Sequence, residues 1–336
     1  MGRGPDNPAT MTNARSPQEQ ITRNRYVSRI QDFAPRHRTL VVLAAVLVAV
    51  AGVLFARMLL DVGRVRISSA HDLEAYFHEI GYTPRILRSG HPEVPRFVVS
   101  SVPEDWADEL TVSEKKNLFF RALLPMVLMV NEDILDDRAR LRAMRKELSE
   151  GRSLKARDSA WLRALAESYG FKDDFGEDAM AIATLLRRVD VIPPSLALAQ
   201  SAVESAYATS RFAVEGNALF GQWRIGKGLV PQQQRKHLGD YRVADFDTPM
   251  ASIRAYMRNL NTNPAYKTFR DMRASARASG DALRGAPLAA GLRSYSEKGE
   301  AYVGLLRRLI AFNQLATCDS AKLLDTPARR IVTGAL

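Results

Sequence analysis

Cysteine is almost missing from this chain: Cys318 is the single one in 336 residues. One thiol cannot close an intrachain disulfide, so a stable core has to come from apolar burial. Histidine is scarce as well. His37, His71, His78, His91 and His237 are scattered, and with one cysteine they make no set with zinc-ligand spacing. The sequence therefore calls for no metal and no cofactor. Acidic residues are outnumbered, 37 against 48 lysines and arginines, for a formal net charge of +11. Such a surface suits a polyanion, and a cell wall, phospholipid headgroups or nucleic acid would all qualify. Internal repeats are absent too.

Long uncharged runs are rare, and one stands out. Residues 39 to 56, TLVVLAAVLVAVAGVLFA, show no polar face of the kind a globular surface helix needs. A transmembrane helix over 38–60 is expected, since a span takes roughly 20 apolar residues. Arg23, Arg25, Arg29, Arg36 and Arg38 precede it, and only Arg57, Arg64 and Arg66 follow closely. That excess predicts a single membrane pass with a cytoplasmic N-terminus and an exported body. A cleaved signal peptide fits less well, because its small-residue site at Ser68–Ser69–Ala70 lies far beyond the apolar run.

The rest divides by pattern. Residues 1–37 form a polar, basic tail. Residues 61–100 read as a linker with one short helix around HDLEAYFHEIGY, kept extended elsewhere by Pro84, Pro92 and Pro95. A helical subdomain follows over 101–190. Its LFFRALLPMVLMV run holds Arg121 and Pro125 and is too short to span a membrane, so it is a buried core helix. DSAWLRALAESYGF sets Trp161, Leu162, Leu165 and Tyr169 on one face, with Gly170 as the stop. A catalytic domain is placed at 191–317 and a tail at 318–336.

Within the catalytic domain, IPPS opens a helix on which Leu196, Ala199, Val203 and Ala206 make a core stripe. The only carboxylate on that helix is Glu204. Gln200 and Ser201, one turn below it, are uncharged. DYRVADF alternates, so 222–246 is predicted to be a β-hairpin with a long polar turn. DTPMASIRAYMRNL is an amphipathic helix with Thr248 as N-cap and Ile253, Tyr256, Met257 and Leu260 inward. A half-buried glutamate kept away from cations holds its proton to higher pH and can serve as a general acid.

The stretch LALAQSAVESAYATSRFAVEGNALFGQW resembles the glucosaminidase domain of glycoside hydrolase family 73, in particular its Bax-like bacterial subfamily. LFFRALLPMVLMVNEDIL, IPPSLALAQ, GKGLVPQ, SIRAYMRNLNTNPAY and YSEKGEAYVGLLRRLI support it, covering roughly 102–315. The resemblance implies a mainly α, lysozyme-like helical domain with a small β-hairpin lobe. It also implies an endo-β-N-acetylglucosaminidase acting on peptidoglycan strands, with no nucleic-acid partner. The family's acid falls on Glu204 and its paired tyrosines on Tyr295 and Tyr302. Asp240, with Asp245 behind it, is the nearest match to a hairpin carboxylate. If neither faces the groove, the substrate's own N-acetyl group takes the nucleophile's part. Gln200, Tyr207, Asn217, Phe220 and Trp223 are candidate sugar contacts, Phe220 being equally a candidate for the core, while Tyr256 is read as core rather than site. Glu215 is read as a solvated contact. Where family members continue the Glu-Ser pair with Gly-Trp-Gly, this chain has Ala206, Tyr207 and Ala208. Tyrosine keeps an aromatic wall there, and alanine narrows the groove. A lytic transglycosylase using the same glutamate and a non-catalytic wall-binding scaffold are the competing functions.

Overall fold

The computed structural model describes residues 63–107, 110–171, 175–231 and 240–334. The predicted membrane anchor and the basic tail before it lie outside the described residues. No helix among the described residues is long and apolar enough to cross a membrane. Gly63–Leu336 forms one compact unit.

That unit is mainly helical, which fits the expected lysozyme-like helical domain. Its longest element is α2, Val112–Ser149, opened by a capping box between Thr111 and Glu114. It contains the whole LFFRALLPMVLMV run, and Leu118, Phe119, Leu124 and Met126 are buried as expected. Arg121, on the same stretch, is fully buried. It survives there because one guanidinium nitrogen donates to the Tyr82 carbonyl at 2.8 Å and another pairs with Glu74. Around α2 pack α3 (Ala156–Ser168) and α4 (Ala179–Leu185), the latter capped by Asp178, whose carboxylate accepts from the Met180 and Ala181 amides. Tyr169 and Gly170 end α3 as predicted, Gly170 with a φ of 77°.

The central helix is α5, Pro194–Ser205, which carries Glu204. Its first turn has no side-chain cap of its own. Instead Asp319, distant in sequence, accepts from the Ser195 amide at 2.9 Å and the Ser195 hydroxyl at 2.8 Å. The same carboxylate accepts from the Gly285 amide at 2.9 Å. A Cβ on Gly285 would fall 2.2 Å from Ser195 Oγ, so only glycine permits this approach. Alanine and serine side chains on α5 let neighbours close in on almost every side. The predicted single core stripe is therefore corrected: Ser195 through Ala202 are all buried, while Ala206 is exposed.

The sides of α5 are covered by α2, by α9 (Gly285–Leu288) and by α10 (Glu300–Phe312). The 3-10 turn Leu315–Ser320 closes its start. Between α5 and α9 in sequence come α6 (Arg211–Gly216), α7 (Pro249–Thr262) and α8 (Lys267–Ser279). Thr248 caps α7 as predicted, and Ile253, Tyr256, Met257 and Leu260 are buried. Trp223–Ile225 and Tyr241–Val243 pair antiparallel as β4 and β5, giving the expected hairpin lobe.

The linker and the C-terminal tail need correcting. Residues 64–67 (β1) and 97–99 (β3) flank 329–333 (β7) in a parallel three-stranded sheet, with Ile331 buried between them. Glu93–Val94 (β2) pairs with Lys322–Leu323 (β6). The short helix expected in that linker is α1, Ala70–Glu79, and it buries Leu73 and Phe77. These strands are two to five residues long, too short for a period of two to stand out in the sequence.

Candidate active site

Glu204 is the penultimate residue of α5 and is half-buried. Its Oε1 accepts a hydrogen bond from the Tyr302 hydroxyl at 2.8 Å. Tyr302 sits in the first turn of α10, 98 residues away in sequence, and is itself buried. The Gln200 amide, one turn below Glu204, donates from Nε2 to the Tyr302 oxygen at 3.1 Å. Gln200 Oε1 in turn accepts from the Tyr256 hydroxyl on α7 at 2.7 Å. Tyr295 stacks on Tyr302, with ring centres 5.6 Å apart and planes 3° from parallel, and donates to the Phe220 carbonyl at 3.0 Å. On the far side of the carboxyl lies Gly221. A Cβ there would stand 3.3 Å from Glu204 Oε2, and its φ is +57°.

Burial pushes the Glu204 carboxyl above the ordinary glutamate range, and the Tyr302 hydrogen bond offsets only part of that. No ammonium, guanidinium or second carboxylate among the described residues contributes to the shift. Burial, followed by the Glu204 charge, holds the Tyr302 phenol well above its usual value, so it stays a donor at physiological pH. The arrangement thus supplies one carboxylic acid able to keep its proton nearer neutrality, beside a permanent hydrogen-bond donor.

The candidate residues do not all meet here. Glu204, Tyr302 and Gln200 form one cluster, and Tyr295 braces it. Gln200 is fully buried, so it is a support for the acid and not a sugar contact. Phe220 is core: it is buried and stacks on Tyr256 at 3.9 Å. Asn217 is also buried, and its Nδ2 donates to the Phe246 carbonyl across the lobe at 3.0 Å. Tyr207 rests its ring against Phe119 and Phe120, with Lys116 5.2 Å from its centre, so α2 claims this aromatic wall. Trp223 is different. It is 57% exposed on β4 and stacked on Tyr241 at 4.6 Å, which leaves its outer face free for a sugar ring.

Neither hairpin carboxylate joins the cluster. Asp240 is exposed and paired with Arg242 at 3.3 Å. Asp245 is exposed, with its backbone against Gly216. Glu215 is exposed and pairs with Arg211 at 3.0 Å, one helical turn back, as expected of a solvated contact. Tyr256 was legible only as a core position of an amphipathic helix. Its hydroxyl partner lies on another helix, and periodicity carries no trace of that.

The Ala-Tyr-Ala departure falls on a backbone turn. Ala206, Tyr207 and Ala208 all have left-handed φ values, 51°, 58° and 63°. This turn ends α5 sharply. The Tyr207 carbonyl accepts from Trp106 Nε1 at 2.7 Å, and the Ala208 amide donates to Ser205 Oγ at 2.9 Å.

The family model described as mannosyl-glycoprotein endo-beta-N-acetylglucosaminidase, Glucosaminidase, matches residues 179–314. Protein bax of Escherichia coli (strain K12) is 31% identical over 200 residues, covering 60% of this chain and 70% of that protein. The chain belongs to the Bax-like glucosaminidase-domain family. No solved structure is matched. The family match spans both α5, with its acid, and α10, with Tyr302, so the cluster lies wholly inside the glucosaminidase domain.

Two predictions follow from this geometry. Left-handed φ costs an L-residue about 1–2 kcal/mol, and Ala206 has an exposed side chain with no packing to lose. Ala206→Gly is expected to raise stability by about 0.5–1 kcal/mol, net of the chain entropy glycine adds when unfolded. An unchanged denaturation midpoint would show that the turn carries no strain. The second concerns pH. Because the folded-state pKa of Glu204 is raised, its contribution to stability is complete below the unfolded value, about 4.3, and is lost as pH rises through the folded value. Glu204→Gln escapes that loss. Its stability relative to the parent should grow from about pH 4 to 7, and parallel stability profiles would contradict the raised pKa.

Proposed function

We propose that this protein hydrolyses peptidoglycan glycan strands as an endo-β-N-acetylglucosaminidase, with Glu204 as general acid. The observation that carries the proposal is a carboxyl with a raised pKa at the end of a buried helix, inside a glucosaminidase domain, whose titratable neighbours among the described residues are phenols. Glu204 gives its proton to the glycosidic oxygen as the bond from C1 to that oxygen breaks. Water then adds at C1 and leaves a reducing N-acetylglucosamine end. Because Asp240 and Asp245 stand outside the cluster, the geometry favours assistance by the substrate's own acetamido oxygen. That oxygen closes on C1 as the leaving group departs; water then attacks C1, the bond from C1 to the acetamido oxygen opens to restore the amide, and ionised Glu204 takes the water's proton. One carboxyl thus serves both steps and is reprotonated in the second. Trp223 offers the stacking face for a sugar, and the chain's positive charge suits an anionic wall.

A single acid with no partner carboxylate in the cluster is also what a lytic transglycosylase requires. The two differ in product: a reducing N-acetylglucosamine end for the hydrolase, a 1,6-anhydro-muramic end for the alternative. Glu204→Gln keeps the shape and removes the transferable proton. It is expected to fold and to bind glycan strands while losing 10²–10⁴-fold or more in cleavage. A variant that cuts purified wall within about threefold of the parent would remove Glu204 from this role, being far short of that range. A wall-binding scaffold would show no cleavage by the parent at all.

The uncharged run over 39–56 and the arginine excess before it support a single-pass anchor with the body in the periplasm of a bacterial cell. An export-dependent reporter fused after Leu336 is expected to be active. Activity from a cytoplasm-dependent reporter at the same place would reverse the topology and remove access to the wall.

A further inference from the structure

We infer that Tyr256 and Gln200 are positioning residues that act through Tyr302 to decide which oxygen of Glu204 carries the transferable proton. The argument is one of donors and acceptors. Tyr256 is fully buried, and Gln200 Oε1, at 2.7 Å, is the one acceptor its hydroxyl has among the described residues. That bond fixes the amide with Nε2 toward Tyr302, 3.1 Å from its oxygen. An amide nitrogen only donates. The Tyr302 oxygen therefore accepts from Gln200, and its own proton goes on to Glu204 Oε1 at 2.8 Å. An oxygen that accepts from a phenol is the carbonyl-type oxygen of the acid form. The acid proton then sits on Oε2.

Oε2 is the oxygen nearest Gly221, where a Cβ would stand 3.3 Å away, so a residue larger than glycine would crowd it. The hydrogen-bond chain puts the proton on the same oxygen that glycine leaves uncrowded. Turning the Gln200 amide over would undo both effects. Tyr256 would hold a buried proton with no acceptor, and Tyr302 would donate to Gln200 instead of Glu204. The carboxyl proton would then sit on Oε1 and face Tyr302, away from any leaving group. Among the described residues, the titratable groups facing Glu204 are all phenols: Tyr302 on α10, Tyr256 on α7, Tyr266 on the 3-10 turn Pro264–Tyr266 and Tyr295 on the 3-10 turn Ala289–Tyr295. None carries a charge that would fix the proton in the chain's place.

The catalytic meaning of this inference rests on the proposed role of Glu204, but its test does not. The full-length chain, labelled with carboxyl-¹³C glutamate, is titrated by NMR, and the Glu204 signal is assigned by its loss in Glu204→Gln. Tyr256→Phe keeps the ring stacked on Phe220 and removes only the hydroxyl. It is expected to raise the Glu204 pKa, because Tyr302 is no longer held in donation to the carboxylate. Tyr302→Phe should raise it at least as far, and the double variant no further than Tyr302→Phe alone. Gln200→Met, similar in shape, should shift it in the same direction and serves if Tyr256→Phe fails to fold. On purified wall, Tyr256→Phe should lower kcat about tenfold, part of the general-acid contribution, with KM unchanged and the alkaline limb of the rate profile moved upward. A Glu204 pKa equal to the parent's in both Tyr256→Phe and Gln200→Met overturns the inference. So do single-variant shifts that add in the double variant. A parent that cleaves no wall sinks the proposed activity alone, since the titration needs no substrate.

Discussion

The hydrogen bond from Tyr302 to Glu204 joins the end of α5 to the start of α10, and much of the fold is arranged so that it can form. Both side chains would be solvated in an isolated helix, and neither would have reason to face the other. Small residues on α5 let α2, α9 and α10 close around it, which brings the phenol within 2.8 Å of the carboxyl. Asp319 holds the opposite end of α5 through two bonds to Ser195 and ties Gly285 to the same point. The acid is therefore mounted on a helix pinned at its first turn and stopped at its last.

Two carboxylates of this protein, one buried and one half-buried, show how environment assigns the task. Asp190 is buried beside Arg138, Arg273 and Arg277, the last at 2.8 Å. Burial alone would raise its pKa. The Arg277 hydrogen bond and the charges of Arg273 and Arg138 outweigh that, and the net shift is downward. It stays ionised and ties α2 to α8 just ahead of the two prolines that open α5. Glu204 has no cation contributing among the described residues, so burial prevails and its pKa is raised. One carboxylate braces and the other is fit to donate, and the presence of guanidinium groups separates them.

How much of this was legible in the sequence follows the range of each signal. A capping residue announced α7 through Thr248, since the cap and the amide it satisfies are neighbours in the chain. The buried run of α2 and the β4–β5 hairpin showed for the same reason. Glu204 was visible as the one carboxylate on an apolar helix, and the family's motif placed Tyr302 beside it. Phe220, Asn217, Tyr207 and Gln200 were visible as polar or aromatic residues near the motif, yet all but Tyr207 prove buried. Nearness in sequence to Glu204 does not say which way a side chain turns.

By itself, then, the sequence determined the helical character of the body, the position of the acid and the absence of a disulfide or zinc-spaced motif. These depend on periodicity, caps and residue chemistry, which are local. Tertiary structure alone decided that β7 enters between β1 and β3, so that the two ends of Gly63–Leu336 close on each other. It alone decided that Tyr256, through Gln200, reaches Tyr302 and Glu204. Parallel strand pairing and a hydrogen-bond chain across three helices join residues tens to hundreds of positions apart. Such contacts exist only once the intervening chain has packed, and no local pattern records them.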